Sequence, residues 1–204
     1  YLQGKSYEEK EAFKEAITFY QEALDLDPNY YDARASLAAL FLQLDQMNNA
    51  LKQYQSLATL NPDEYYLFYC LGYCYFELGF LEKSAQNYAK AIELNPSDEN
   101  LYFNLAIVYN DLGQTDEAIE AYEGVLNANP EYVEAYDNLG GLYLEKDEID
   151  LAKTMFYKAI EIDPNYTNAY FNLASTLKEE KLYVDSINMY IKAYKKGHDS
   201  AELH

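Results

Sequence analysis

Residues 99–132 read ENLYFNLAIVYNDLGQTDEAIEAYEGVLNANPEY, and this stretch contains the pattern that decides the fold. Ala106 and Tyr109 share one face of a first predicted helix, and Ala118 and Tyr122 share one face of a second. In each helix a small residue is followed, at helical spacing, by a large ring. Two helices approach closely where one offers Gly or Ala and the other fills the gap, so the stretch predicts a packed helical hairpin.

The same pattern recurs along the chain every 34 residues. The chain has five prolines, and each lies 34 residues from the next: Pro28, Pro62, Pro96, Pro130 and Pro164. An Asp or Asn precedes every proline, and it ends the second helix because the residue before proline is pushed out of the α region. The spacing predicts six repeats, at about 1–30, 31–64, 65–98, 99–132, 133–166 and 167–200.

Three further sets of residues keep this spacing. A small residue of the first helix recurs at Gly4, Ala38, Gly72, Ala106, Gly140 and Ala174. A small residue of the second helix recurs at Ala16, Ala50, Ser84, Ala118, Ala152 and Ser186. Four residues later comes a ring, at Tyr20, Tyr54, Tyr88, Tyr122, Phe156 and Tyr190. Because no single hairpin can bury its own apolar stripe, these repeats predict one continuous all-α domain over 1–204, stabilised by stacking.

This pattern resembles the tetratricopeptide repeat (TPR) family, whose 34-residue signature it follows over essentially the whole chain. The resemblance implies an α-solenoid, a right-handed superhelix of antiparallel helix pairs with a concave groove. Three positions depart from the family pattern. Arg34 stands at an aromatic position, Leu177 at a ring position, and His198 at the place of the final proline.

The residues at the helix ends give two expectations about local structure. Gly79 and Gly113 lie in turns within repeats and suit a helix C-terminus. All residues that follow the prolines, except Glu131, are types favoured as N-caps of the next helix: Asn29, Asp63, Ser97 and Asn165.

The net charge of -20 limits the class of partner. A nucleic acid binder must supply Lys and Arg to displace phosphate counterions, which argues against nucleic acid, and an anionic membrane surface is disfavoured for the same reason. The longest apolar run, 65–76, is too short to span a bilayer, so no membrane insertion is expected. No basic-then-apolar segment opens the chain, which gives a weak preference for the cytoplasm. Because the chain starts inside a repeat, an upstream leader is not excluded and the localisation stays open. The charge favours a basic partner.

The sequence predicts neither catalysis nor a cofactor. It lacks a glycine-rich phosphate loop, a nucleophile elbow and a metalloprotease histidine motif. Cys70 and Cys74 are interpreted as small buried hydrophobes, because two thiols without a nearby histidine fall short of the four ligands of a structural zinc site. His198 and His204 lie in the C-terminal tail, far from both cysteines in sequence.

The family resemblance also implies which residues line the groove, namely the second, fifth, sixth, ninth and twelfth of each repeat. The candidate peptide-binding residues combine rings, an aliphatic side chain, amides and acids: Tyr69, Tyr73, Phe103, Phe171, Ile107, Asn104, Asn138, Asn172, Glu134 and Asp137. For Tyr66 and Phe76, also at groove positions, packing between adjacent helices is the favoured interpretation.

Asn104, Asn138 and Asn172 recur at one groove position. They resemble the asparagine ladder of the O-GlcNAc transferase superhelix, which holds peptides. A side-chain amide both donates and accepts hydrogen bonds, so it can pair with a peptide backbone. The alternative interpretation is that these amides bond only to the neighbouring helix.

Glu134 and Asp137 belong to a long acidic stretch. Residues 91–145 contain twelve Asp and Glu and no Lys or Arg. The sequence thus predicts a protein-interaction scaffold, whose acidic, aromatic groove binds a peptide or helical segment with basic and apolar residues.

Two alternatives stay open at this point. The chain starts inside a repeat, and its last helix has an apolar stripe with few residues after it: Tyr183, Ile187, Tyr190, Ile191 and Tyr194. The first alternative is therefore a regulatory or substrate-selecting segment of a larger enzyme, such as a glycosyltransferase. The second is a self-assembling scaffold, in which another copy covers the stripe.

Overall fold

The computed structural model describes the backbone of residues 1–201 and the side chains of residues 1–197, and this part of the chain forms twelve α-helices and no strand. The helices are α1 (Leu2–Glu8), α2 (Phe13–Leu26), α3 (Tyr31–Gln43), α4 (Met47–Leu60), α5 (Tyr65–Glu77), α6 (Leu81–Leu94), α7 (Glu99–Asp111), α8 (Thr115–Ala128), α9 (Val133–Glu145), α10 (Ile149–Ile162), α11 (Thr167–Glu179) and α12 (Tyr183–Ala201). The all-α prediction is confirmed. The odd-numbered helices from α3 onwards begin at the predicted repeat boundaries.

The helices belong to two compact units, one formed by Tyr1–Leu112 and the other beginning at Gly113. Within unit 1, each helix from α1 to α7 packs against the next in sequence. Within unit 2, α8 to α12 follow the same rule, and α9 also contacts α11. Each unit thus has the paired and stacked helices of an α-solenoid. That 1–204 form a single array stays a prediction.

The cores of the hairpins are built from the predicted contacts between small residues and rings. Tyr20, Tyr88 and Phe156 are fully or almost fully buried on the second helices. Each ring lies against a glycine of its first helix: Gly4, Gly72 and Gly140, respectively. A Cβ added to Gly72 would lie 2.9 Å from Cδ1 of Tyr88, closer than van der Waals contact allows. These pairs therefore set how closely the two helices approach.

Two hairpins have a serine at the second small position. Ser84 Oγ donates a hydrogen bond of 2.8 Å to the carbonyl oxygen of Gly72, and Ser186 Oγ donates one of 2.7 Å to that of Ala174. Both serines are buried. Because the hydroxyl finds an acceptor on the facing helix, a polar side chain is tolerated where the other repeats have alanine.

Successive repeats are joined by a recurring hydrogen bond to the proline carbonyl. The hydroxyls of Tyr102, Tyr136 and Tyr170 donate to the carbonyl oxygens of the prolines six residues earlier, at 3.2–3.3 Å. Arg34 occupies the equivalent position, and its guanidinium donates to the Pro28 carbonyl and to Gln53 Oε1. Arg34 therefore replaces the tyrosine ring but keeps a side-chain donor to the proline carbonyl.

The turns within the repeats share one backbone geometry. Gly79 and Gly113 have φ of +77° and +70°, which confirms their predicted place at helix ends. After α5, the Phe80 N–H donates to the Tyr75 carbonyl and the Gly79 N–H donates to the Phe76 carbonyl, both at 2.9 Å. This pair of bonds is a Schellman motif. The sequence did not predict that four non-glycine residues would occupy the same left-handed position: Glu11, Asp45, Asp147 and Lys181.

Changing Lys181 to Gly is expected to stabilise the protein by about 0.5–1 kcal/mol, because Gly adopts a positive φ without the clash that a Cβ causes. Gly79→Ala is the matched reverse change. No atom lies within 4 Å of a Cβ at Gly79, so backbone strain alone should destabilise this variant by about 1 kcal/mol. Urea unfolding followed by circular dichroism measures both. Equal signs for the two changes would contradict the argument.

The N-cap expectation is wrong. The residues before the first helical turns are Tyr30, Glu64, Asp98, Tyr132 and Tyr166, one place later than expected, and Asp98 alone among these five accepts a capping hydrogen bond. Asn29, Asp63, Ser97 and Asn165 lie in the turn instead. At Asn29 and Asn165 the backbone N–H donates to the carboxylate of Asp27 and Asp163, respectively. The polar residue before the proline therefore organises these two turns, as in an Asx turn.

No helix among the described residues is both long enough and apolar enough to cross a membrane. The predicted stripe on α12 is largely exposed at Tyr183, Ile187, Ile191 and Tyr194, whereas Tyr190 is half-buried. The side chain of His198 and all of His204 lie outside the residues that the structure describes.

Candidate peptide-binding faces

Helical periodicity separates a buried side of the first helices from an open one. The third, seventh and tenth residues of repeats two to six are all buried, as Leu101, Leu105 and Val108 are in α7. The second residue is exposed in repeats three to six, at Tyr66, Asn100, Glu134 and Asn168. These residues lie on the side of the helix turned away from the buried positions. Each unit is described separately below.

The aromatic face of unit 1 consists of Tyr66, Tyr69 and Tyr73 on α5 with Phe103 and Ile107 on α7. Tyr66 is 51% exposed, and its ring stacks on that of Tyr69 at a centroid distance of 5.8 Å. The other four residues are half-buried.

Tyr69 is held between two rings. Besides Tyr66, it contacts the buried Tyr88 of α6 at a centroid distance of 6.0 Å, with the ring planes tilted. Tyr69 is therefore fixed by a core residue while Tyr66 shields it only in part. Burial raises the pKa of the Tyr69 phenol, and nearby Cys70 and Asp98 add to this rise. A preorganised, neutral phenol of this kind suits a contact residue, because little side-chain entropy is left to lose.

Cys70, at a predicted groove position, is buried with Cys74 instead of facing outwards, and both thiols are free. This agrees with their interpretation as small buried hydrophobes. Burial raises the pKa of Cys70, and hydrogen bonds from Tyr54 and Tyr66 offset part of this rise. Burial raises the pKa of Cys74 to about 12. Within the described part of the chain, His, Cys, Asp and Glu form no group of three or more suited to a metal ion.

Asn104, on α7 of unit 1, is half-buried. Its Nδ2 donates a hydrogen bond of 2.8 Å to the carbonyl oxygen of Asn100, one turn earlier in the same helix. This bond uses one hydrogen of the amide. The amide's chemistry includes a second N–H and a carbonyl oxygen, which are the groups that a peptide backbone would require.

The acidic face of unit 2 consists of Glu134, Asp137 and Asn138 on α9 with Phe171 and Asn172 on α11. Glu134 is exposed, Asn138 and Asn172 are half-buried, and Asp137 is only 9% exposed. Phe171 is 45% exposed, and its ring contacts Tyr190 of α12 at a centroid distance of 5.9 Å.

Asp137 is held by two residues of the following repeat. Asn172 Nδ2 donates to Asp137 Oδ1 at 2.8 Å, and the Tyr166 hydroxyl donates to Oδ2 at 3.4 Å. Burial raises the pKa of Asp137, the two hydrogen bonds oppose this rise, and the charge of Glu134 adds to it. Both donors are neutral, so they orient the carboxylate without balancing its charge.

Several basic residues of unit 2 are engaged elsewhere. Lys146 pairs with Asp116 and Glu148, Lys153 with Asp150 and Glu180, and Lys158 with Glu161. Lys196 Nζ donates to Asn165 Oδ1. Because the two donors to Asp137 are neutral, its buried carboxylate is a candidate acceptor for a cation that comes from outside the chain.

Sequence profiles of known families match most of the chain. Profiles described as Tetratricopeptide repeat match residues 8–69, 97–165 and 155–195, and a profile described as TPR repeat matches residues 72–113. The chain is a tetratricopeptide repeat protein. No curated protein sequence matches this TPR protein significantly.

Solved structures show the same fold for this TPR protein at low sequence identity. The C-terminal part of a TPR repeat-containing protein from Cytophaga hutchinsonii has a TM-score of 0.81 and 16% identity, covering 97% of this chain and 79% of that one. MamA has a TM-score of 0.77 and 21% identity, covering 81% and 97%. YrrB, described as a TPR protein with an unusual peptide-binding site, has a TM-score of 0.72 and 19% identity, covering 88% and 93%. TPR scaffolds of this kind are typically non-catalytic.

Sequence reasoning about this TPR protein missed Tyr166, which lies just before α11 and not at a groove position. A signal existed, because a tyrosine also precedes the first helix at Tyr30 and Tyr132. The sequence also gave no indication that Asp137 is buried, since its two donors come from the next repeat.

Proposed function

We propose that this TPR protein is a protein-interaction scaffold that binds a peptide or a helical segment of a partner on the open side of its first helices. The observation that carries the proposal is Asp137, a buried carboxylate oriented by Asn172 and Tyr166. YrrB, which shares the fold, is described as having a peptide-binding site, and this supports peptides as the class of ligand.

The chemistry of the acidic face specifies the ligand further. An ionised carboxylate has about four acceptor sites, and Asn172 and Tyr166 occupy two of them. An Arg or Lys side chain would use the remaining sites and balance the buried charge, with the exposed Glu134 attracting the same cation. Phe171 offers a ring for an apolar anchor next to the cation. The ligand is therefore a segment with one basic and one apolar residue close together.

Asn138 and Asn172 would contact the backbone of a ligand on the acidic face of unit 2 in this proposal, and Asn104 would do the same for a ligand on unit 1. Asn172 has a double role in this proposal. One amide hydrogen orients Asp137, and the second N–H and the carbonyl oxygen of the amide would bind the peptide. Considered by itself, the aromatic face of unit 1 would supply contact area to a ligand of that unit through Tyr66, Tyr69 and Tyr73, as expected of an interface hot spot.

Arrayed twelve-residue peptides test this proposal. Each peptide has one Phe or Leu and one Arg at varied spacing, and each has a twin with neutral citrulline in place of Arg. For the tightest Arg peptide, Asp137→Asn is expected to weaken binding about 10–100-fold, because a charged hydrogen bond is lost from a desolvated site. Fluorescence anisotropy of the labelled peptide measures the change.

Glu117→Gln is the matched control. Glu117 is exposed on α8, a second helix, and this change removes the same net charge. We expect it to alter binding less than about twofold, since exposed charges at a distance are screened by salt. If Glu117→Gln lowered the affinity for the peptide as much as Asp137→Asn, the effect would come from overall charge alone, and the proposal would be contradicted. So would an unchanged affinity for the Asp137→Asn variant.

The raised pKa of Asp137 gives this binding a characteristic pH dependence. As the pH falls through that raised pKa, Asp137 becomes neutral and the Arg peptide should dissociate, at a higher pH than an exposed carboxylate would require. The Asp137→Asn variant and the citrulline peptide should both lack this step.

A further inference from the structure

An apolar row runs along the exposed surface of α12. Val184 is 74% exposed, Ile187 57% and Ile191 47%, and the row continues to Tyr194, which is 68% exposed. The spacings of three, four and three residues are those of the a and d positions of a heptad. An exposed row with this spacing is typical of a helix that packs against another helix.

Val184 is apolar at a position that is polar in every earlier repeat, and Ile191 is apolar at a position that is Gln or Glu in most of them. The residues at the register of Val184 in the earlier repeats are all polar and all exposed: Lys14, Asn48, Glu82, Asp116 and Asp150. At the register of Ile191, three of five are Gln or Glu, and they too are exposed: Gln21, Gln55 and Glu123. The other two are Tyr157, which is 49% exposed, and the half-buried Ala89. These positions face solvent even where another repeat follows, so a further repeat of the same kind would leave Val184 and Ile191 uncovered.

Ile187 differs from these two, because its register belongs to the contact between repeats. The equivalent Ile17 and Leu51 pack against the core of unit 1, and Ala85 and Ile119 are buried. The fifth equivalent, Lys153, pairs with Glu180 of the next repeat. The apolar row of α12 therefore combines Ile187, at a position used for contact between repeats, with Val184 and Ile191, at positions that are wholly or mostly polar in the earlier repeats. Its occupant must cover both.

A second copy cannot cover the row by extending the stack head to tail. At the register of Leu37 and Leu71 the first repeat has Gln3, and at that of Leu40 it has Ser6; both polar residues are exposed. Such a stack would bury these polar groups against isoleucine and valine without hydrogen-bond partners.

Charge favours contact between two copies through this same repeat. Residues 167–200 contain five of the fifteen Lys and Arg of the chain and only four of its 35 Asp and Glu. Two molecules with a net charge of -20 repel each other least through this repeat. When two α12 helices lie antiparallel about a centre between Ile187 and Ile191, Asp185 of one copy is level with Lys192 and Lys195 of the other.

We propose that two copies of this chain form a symmetric dimer, in which the α12 helices pack antiparallel through Val184, Ile187 and Ile191. The same surface serves both copies, so the assembly closes at two. Sedimentation equilibrium of the full chain at several concentrations tests this directly. The expected result is a reversible dimer with twice the 23.6 kDa mass of the chain.

The double variant Ile187→Glu, Ile191→Glu is expected to raise the dimer dissociation constant at least about 100-fold. The reason is that carboxylates of the two copies would lie opposite each other in the interface without cationic partners. The control is Leu151→Glu, at a 45% exposed leucine of α10, which should leave the constant unchanged. Circular dichroism verifies the folding of both variants. A monomer at all concentrations, an open-ended polymer, or equal effects of the two variants would overturn the proposal.

A disulfide gives an independent readout that does not depend on weakening the fold. Asn188 is exposed beside Ile187, close to the proposed two-fold axis, so Asn188→Cys should form a covalent dimer on mild oxidation. Thr154→Cys, exposed on α10, should not. Cross-linking of both variants to the same extent would show random collision and contradict the geometry.

Discussion

Replacing Phe156 with Ala is expected to lower the free energy of unfolding by about 3–5 kcal/mol. The ring is fully buried, fills the space opposite Gly140, and belongs to a core cluster with Ala152, Leu173 and Leu177. Its removal leaves a cavity between α9, α10 and α11, since glycine has no side chain that could fill the gap. The loss therefore includes both the burial of the ring and the cavity.

Tyr157→Ala is the control for this prediction. Tyr157 is the next residue of the same helix but is 49% exposed, so its loss should cost less than about 1 kcal/mol. Urea unfolding followed by far-UV circular dichroism measures both variants at the same urea concentrations. Comparable losses at 156 and 157 would show that the ring of Phe156 does not organise the hairpin.

Adding one methyl group on the other side of this contact should also destabilise the protein. A Cβ on Gly140 would lie 2.7 Å from Cδ1 and Cζ of the Phe156 ring, so Gly140→Ala forces two packed helices apart. Overpacking of this kind costs about 1–3 kcal/mol. The neighbouring Gly141 has no atom within 4 Å of an added Cβ, and Gly141→Ala should stabilise by about 0.5–1 kcal/mol through helix propensity.

Opposite signs for two adjacent glycines in one helix are the critical outcome here. A double variant adds a further test, because Phe156→Leu in the Gly140→Ala background removes the clashing ring atoms. The two substitutions should then be non-additive, with the double variant more stable than the sum of the single losses. If the stability losses of the two single variants simply added in the double variant, the added methyl group would not be clashing with the ring of Phe156.

The repeat period and the helix boundaries could be predicted from the sequence because they depend on local chemistry. A proline after an Asp or Asn ends a helix wherever it occurs, and a 34-residue spacing leaves little freedom for the elements between. The contacts between glycines and rings were predictable for a similar reason. Only Gly or Ala fits opposite a buried ring, so a small residue in one helix predicts a ring at the facing position of the other helix.

The turns were less predictable, because more than one residue could accept a hydrogen bond from the same backbone N–H or occupy the position with positive φ. Asn29 and Asn165 have the chemistry of N-caps, but their backbone N–H groups are bound by Asp27 and Asp163, and the helices start later. Lys181 adopts a positive φ although nothing in its chemistry favours one. In such turns the packing of the flanking helices decides the backbone.

The positions of the candidate site residues could be predicted from the sequence, but their burial and their hydrogen-bond partners could not. The register of Asp137 and Asn172 follows from the repeat, whereas their hydrogen bond joins two repeats and depends on tertiary packing. The bond from Asn172 to Asp137 is a contact with another helix, of the kind that the alternative interpretation of the asparagine ladder expected. Asn104 bonds within its own helix, so equivalent residues of the ladder differ in their partners.

The central claim is that a partner segment binds on the open side of the first helices. The most direct measurement is the amide NMR spectrum of the chain titrated with the tightest Arg-containing peptide. The account predicts shifts of the signals of Glu134, Asp137, Asn138 and Asn172, and unchanged signals for the exposed residues of α8 and α10. Shifts confined to α8 and α10, with Asp137 and Asn172 unaffected, would contradict it.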